Sequence, residues 1–232
     1  MKKLIKIIFI LLLLTILSVG GFVFSKSYIL YKEVINEKSI LESVSQIQQS
    51  DYFITIDEVP TEYKNAVIAV EDHRFEAHGT VDIISIARAI FSNIKKKDLV
   101  EGGSTITQQV AKNLYFIESK NNTIYRKVAE ILIGIDLEKN YSKNEIFELY
   151  MNCIYFGDGY YNIKTAAKGY FNKLPSEMDL YECTLLAGIP NAPSVYSPNV
   201  NPELSEKRHK KVVSSMVKYD YLTQEQADNI FK

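Results

Sequence analysis

Residues 81–94 read Val81-Asp82-Ile83-Ile84-Ser85-Ile86-Ala87-Arg88-Ala89-Ile90-Phe91-Ser92-Asn93-Ile94. Ile84, Ala87, Phe91 and Ile94 recur at helical spacing, and Ile83, Ile86 and Ile90 widen the same stripe. This is a helix whose apolar surface is wide enough for burial or for contact with lipid. Outward from it the same periodicity continues. Helices are expected over 105–116 and 123–139, and Ser142-Lys143-Asn144-Glu145 is a capping box opening another that ends near Asn152. Residues 163–171, 176–187, 202–219 and 223–231 read alike, and Pro60-Thr61 opens a helix running into Val67-Ile68-Ala69-Val70. Residues 52–59 read as extended and 28–49 as a polar stalk. No series of alternating strands and no internal repeat appears. The expected class is mainly α.

The chain has 232 residues, room for one domain with an anchor. Lys and Arg total 27 against 28 Asp and Glu, and this balance argues against a dedicated nucleic-acid binder. Two cysteines, Cys153 and Cys183, exclude a disulfide scaffold, and three histidines without H-E-x-x-H leave zinc little to hold. Nineteen residues from Ile7 to Ser25 carry no charge. A bilayer core of ~30 Å needs about 20 helical residues, so this run fits one span. A cleavable signal peptide, the competing reading, would have a shorter apolar core and a small-residue cleavage site, to which Ser18-Val19-Gly20 is the nearest approximation. Lys2, Lys3 and Lys6 precede the span and place the N-terminus in the cytoplasm, with the rest outside. Five Lys against one Glu give residues 1–35 a charge of +4 and leave −5 for the remainder.

Three stretches carry chemistry. Glu71-Asp72-His73-Arg74-Phe75-Glu76-Ala77-His78 ends an apolar helix, where a desolvated carboxylate can serve as a base. A solvated helix terminus is the plainer account. Glu101-Gly102-Gly103-Ser104-Thr105-Ile106-Thr107-Gln108-Gln109-Val110-Ala111-Lys112-Asn113 sets paired glycines before a helix start, where free N–H groups favour an anion. A flexible loop with an N-cap explains it equally. In Arg126-Lys127-Val128-Ala129-Glu130, the arginine and glutamate share a helix face, as a surface ion pair would.

In this order the three stretches resemble the E-D-x-x-F-x-x-H, G-x-S-T-x-T-Q-Q-x-x-K-N and R-K-x-x-E motifs of the membrane-bound peptidoglycan glycosyltransferases, glycosyltransferase family 51. These occur alone or as the N-terminal half of bifunctional penicillin-binding proteins. Tyr155-Phe156-Gly157, Ala166-Ala167-Lys168-Gly169-Tyr170-Phe171 and the segment from Leu185-Leu186-Ala187-Gly188 to Tyr196-Ser197-Pro198 agree as well. The resemblance runs from about Tyr52 to Ala227. His73 departs from a usual Arg, Glu101 from a frequent Gln, and Asn162 from a common Gly. Gly79-Thr80 inverts the usual order after the motif histidine.

The resemblance implies a lysozyme-like helical glycosyltransferase domain with a large and a small lobe, preceded by one transmembrane helix. The expected division is cytoplasmic N-terminus and anchor at 1–27, stalk at 28–51 and catalytic domain at 52–232. The implied substrates are lipid II and an undecaprenyl-pyrophosphate-linked glycan chain, with cell-wall synthesis proteins as further partners. Glu71 is implied as the base, and Glu130 as the group that orients cations or holds a divalent ion (Mg or Mn) at the pyrophosphate. Gly103, Ser104, Thr105, Lys112, Arg126 and Lys127 are implied to support the leaving group. Asp72, Phe75, His78, Gln108, Gln109 and Asn113 follow as substrate contacts. The rival readings are a glycan-cleaving relative of lysozyme and a non-catalytic membrane scaffold. A transpeptidase is rejected: S-x-x-K occurs twice, at Ser92 and Ser215, but K-T-G is missing.

Overall fold

A computed structural model describes residues 2–96, 103–117 and 123–232. Among these, twelve α-helices and four short 3-10 turns form the fold, and no strand is present. The helices are α1 (Lys2–Glu37), α2 (Ile40–Gln48), α3 (Thr61–Glu71), α4 (Ile83–Lys96), α5 (Ile106–Tyr115), α6 (Ile124–Asn140) and α7 (Lys143–Cys153). They continue as α8 (Ile163–Phe171), α9 (Leu180–Gly188), α10 (Pro193–Tyr196), α11 (Pro202–Lys218) and α12 (Gln224–Ile230).

Side-chain caps set most of the starts. Thr105, Thr123, Asn162 and Thr223 each accept from an N–H in the first turn of the following helix. Ser39, Ser142 and Asp179 complete reciprocal capping boxes with Glu42, Glu145 and Glu182. The helix expected over 176–187 is in fact a 3-10 turn, Pro175–Glu177, followed by α9. Asp179 caps a new start there instead of continuing the old one.

Two stacks make the core. In one, α1 packs on α6, α6 on α5 and α5 on α7; in the other, α3, α9 and α11 pack mutually. Six consecutive residues of α9, Cys183 to Gly188, are buried, as befits a helix enclosed on all sides. Tyr63, Phe75, Phe147 and Tyr150 are fully buried and their rings adjoin, with centroids 5.9–6.5 Å apart along the chain of neighbours. Each large apolar side chain removed from water stabilises by roughly 1.5–3 kcal/mol.

The N-terminal segment departs from a free stalk. α1 is one continuous helix whose exposed apolar part leads directly into a docked part. Ser27 is fully buried, and Leu30, Tyr31, Val34 and Ile35 pack against the core. α2 follows and buries Val44. Residues 52–59 hold a 3-10 turn, Ile56–Glu58, tied to α7 through Asn152 and Glu148. On α4 the described start of the expected stripe turns outward: Ile83 and Ile84 are 76% and 53% exposed, while Ala89 and the preceding Asp82 are buried. Cys153 and Cys183 are both free thiols, and burial pushes each up to about 12.

Candidate functional site

The two stacks meet at Glu71, the last residue of α3. Its Oε1 accepts from Arg208 Nη2 of α11 at 2.5 Å, and its Oε2 accepts from Gln109 Nε2 of α5 at 3.0 Å. Both side chains of the ion pair are largely enclosed, 8% exposed for Glu71 and 6% for Arg208. The guanidinium also donates through Nε to the Gly188 carbonyl at 3.2 Å and lies 5.7 Å from the Tyr196 ring.

Glu130 lies on α6 and is equally deep. Arg126 Nε stands 3.1 Å from its Oε1, and Lys127 Nζ donates to its Oε2 at 3.1 Å. Lys127 Nζ also donates to Ser104 Oγ at 2.9 Å, linking this cluster to the residue before the α5 cap. Ser104 stands just before the Thr105 cap and Gln109 in the first turn of α5. The two glutamate clusters therefore flank the first turns of α5. Lys112 lies three residues beyond Gln109 on α5 and is exposed. Asn113 is part-buried and donates to the Gln109 carbonyl at 2.7 Å.

The start of α5 is less open to an anion than its glycines suggest. The Ile106 N–H donates to Asp72 Oδ2 at 3.1 Å, and the Gln108 N–H to Thr105 Oγ1 at 3.2 Å. Gly102 and Glu101 lie outside the described residues. Several residues expected to contact substrate face inward instead. Phe75 is fully buried against Phe147, beneath the Lys143 ammonium. Thr105 Oγ1 and Gln108 Nε2 both donate to the Thr80 carbonyl at 2.8 Å. Asp72 Oδ1 pairs with His78 Nε2 at 2.6 Å. Burial raises the Asp72 carboxyl above the usual carboxylate range, against the pull of His78 and the Ile106 N–H. These residues build the loop and the cap that hold α5 against α3.

Two carboxylate sets bear on a metal. Asp72, His78 and Asp82 offer ligand atoms within 4.8 Å of one another. Those atoms already have partners: Asp82 accepts from Arg74, from the Ser85 hydroxyl and from the N–H groups of Ile84 and Ser85. Burial opposes ionisation of Asp82, but the Ser85 bonds, with His78 and Arg74 nearby, bring it down to about 2. At Glu130, cations occupy both oxygens. Neither set presents free ligands for a divalent ion.

Arg208 is the site residue that the sequence reading missed. Its spacing carried a signal: Ser205, Arg208, Val212 and Met216 form one buried stripe of α11, with an arginine on its apolar face.

The family described as Transglycosylase matches residues 37–217. Penicillin-binding protein 1F of Bacillus subtilis is 37% identical over 97% of this chain. Penicillin-binding protein 1A of Aquifex aeolicus is 40% identical over 84% of it. The chain spans about a third of the first relative's length (33%) and about a quarter of the second's (26%). A crystal structure of penicillin-binding protein 1A from Haemophilus influenzae is 28% identical and covers 55% of this chain and 16% of that one. Its TM-score of 0.38 is too low to compare the two arrangements.

Proposed function

The chain belongs to the transglycosylase family, and we propose that it polymerises lipid II into linear glycan strands at the outer face of the membrane. The observation that carries this reading is the unequal treatment of two buried glutamates. Glu130 is held by cations on both oxygens, whereas Glu71 keeps one oxygen whose only partner among the described residues is a neutral amide. Pairs of carboxylates placed in different surroundings take different chemical roles.

Glu71 is assigned the base. A sugar hydroxyl is a poor nucleophile at neutral pH and needs a positioned acceptor for its proton. As the hydroxyl oxygen of the incoming lipid II bonds to the anomeric carbon of the growing chain, its proton passes to Glu71. The bond from that carbon to the pyrophosphate breaks, releasing undecaprenyl diphosphate. Attack opposite the leaving group on an α-linked sugar inverts the centre and yields a β-1,4 linkage. The leaving group is already anionic, so it needs positive charge rather than a proton. Lys112, Arg126 and Lys127 are assigned that charge, with Glu130 fixing the geometry of the last two. The residues around Glu130 are already paired with cations and do not fit a divalent ion.

Gly103, Ser104, Gln109 and Asn113 complete the substrate side. Asp72, Phe75, His78, Thr105 and Gln108 act through the loop and cap they build. The exposed apolar part of α1 anchors the domain with its N-terminus in the cytoplasm. That tether concentrates the cleft over substrates confined to the same leaflet.

The test is incubation of the purified chain with lipid II in detergent, followed by separation of glycan polymers. Polymer is expected, blocked by a phosphoglycolipid donor mimic of the moenomycin type and indifferent to β-lactams. Release of fragments from finished peptidoglycan, without polymer formation, would favour the glycan-cleaving reading instead.

A further inference from the structure

We infer that Arg208 is a positioning residue for Glu71, fixing the orientation of the carboxylate that takes the proton; the inference rests on the role proposed for Glu71. An arginine whose stem crosses apolar packing ordinarily carries its head to water. This one ends inside, against a carboxylate 137 positions earlier in the chain. A carboxylate at that depth requires a countercharge or several donors, and here it has one of each. Arg208 from α11 and Gln109 from α5 hold different oxygens. Rotation of the carboxyl group is thereby blocked, and the remaining lone pairs are aimed in a fixed direction.

The guanidinium is itself seated rather than free. Its Nε donates to the Gly188 carbonyl at the end of α9, and the Tyr196 ring covers it. The stem runs so close to Gly188 that a Cβ built there would stand 3.1 Å from Arg208 Cγ and 3.3 Å from Val212 Cγ2. Glycine at 188 thus leaves the lane through which the arginine reaches the site. Three helices, α3, α5 and α11, converge on one carboxyl group, and α9 seats the arginine. The geometry assigns the last long helix to the catalytic apparatus, although it carries none of the three motifs that drew attention in the sequence.

The test uses the full chain in detergent with lipid II, and compares Arg208→Gln, Arg208→Lys, Glu71→Gln and the Arg208→Gln/Glu71→Gln double variant. Misplacing a reacting group by about 1 Å costs on the order of 10²-fold in rate, so kcat of Arg208→Gln should fall by that order. KM for lipid II and affinity for the phosphoglycolipid mimic should stay within about twofold, because the loss is confined to the chemical step. Arg208→Lys should recover part of the rate. In the Glu71→Gln background, Arg208→Gln should cost no further activity. Full activity in Arg208→Gln, a loss carried by KM, or multiplicative losses in the double variant would overturn the inference. Melting of each variant by circular dichroism separates folding from rate, and if Arg208→Gln does not fold, the kcat and KM of Arg208→Lys decide. If the wild-type chain makes no polymer, the proposed function fails, but the pairing is still read from melting. Each single substitution should then lower Tm, with a drop in the double variant smaller than their sum; additive drops would overturn the pair.

Discussion

The Tyr31 hydroxyl donates to Asp136 Oδ2 at 2.6 Å, tying the long N-terminal helix α1 to the last turns of α6. The exposed apolar segment of α1 is therefore not joined to the domain by a loose tether. It continues as one helix into a docked stretch that begins at Ser27, whose side chain is buried and bonds back to the Val23 carbonyl. Removing residues 1–25 should leave thermal melting in detergent almost unchanged, whereas removing residues 1–37 should lower it clearly. Tyr31→Phe should cost about 1 kcal/mol, the usual net worth of one hydrogen bond. Equal melting of the two truncations would show that the docked part contributes nothing.

Gly134 on α6 leaves room for Thr80. A Cβ at 134 would overlap the Thr80 methyl, and the Thr80 carbonyl is the acceptor for both Thr105 and Gln108. Gly134→Ala should therefore destabilise by roughly 1–3 kcal/mol, as overpacking does. Adding Thr80→Ser, which deletes the methyl, should restore most of the loss. Denaturant unfolding of the two variants checks this, and a double variant no better than Gly134→Ala would refute the steric cause.

His209 should make the fold acid-sensitive. The Thr184 hydroxyl donates to backbone carbonyls of Leu180 and Tyr181, so His209 Nε2–H must be the donor in the 2.7 Å contact with Thr184 Oγ1. That leaves Nδ1 bare and without a partner among the described residues, enclosed by the Tyr181 and Phe231 rings. Burial brings the imidazole down to about 4 from 6.5, with Glu206 raising it and Lys210 lowering it further. Because the folded value is the depressed one, the unfolded chain takes up the proton first. Stability from this group is complete above pH 6.5 and is lost as pH falls toward about 4. The loss amounts to roughly 3 kcal/mol. Urea midpoints measured across that range should slope downward for the wild type, and His209→Gln should flatten the slope.

The sequence made the helices legible where local chemistry decides them. Ser142 opens its helix as the capping box predicts, and Thr105 and Thr223 cap the helices expected to start at them, because an N-cap depends only on the next three residues. Periodicity located the α4 stripe but not its surroundings, since a moment gives a face and not what lies against it. Glu71 and Glu130 stood out by motif. Arg208 did not, because its partner is 137 positions away and arginine is ordinarily a surface residue. Phe75, Thr105 and Gln108 drew attention as substrate contacts, and the structure turns them inward. A motif marks that a position matters without saying whether it touches the substrate or holds what does.

In the proposed mechanism Glu71 takes the proton while Glu130 organises the charge that receives the leaving group. It is tested most directly by polymerisation of lipid II with Glu71→Gln and Glu130→Gln in the same detergent and salt, alongside donor-mimic affinity. Glutamine keeps the size of glutamate and one acceptor oxygen, but it carries no charge and takes up no proton. Turnover of Glu71→Gln should fall by about 10²–10⁴-fold with affinity retained, and Glu130→Gln should lose affinity together with rate. A Glu71→Gln variant that polymerises at the wild-type rate, or that loses affinity while Glu130→Gln loses only rate, would contradict the account.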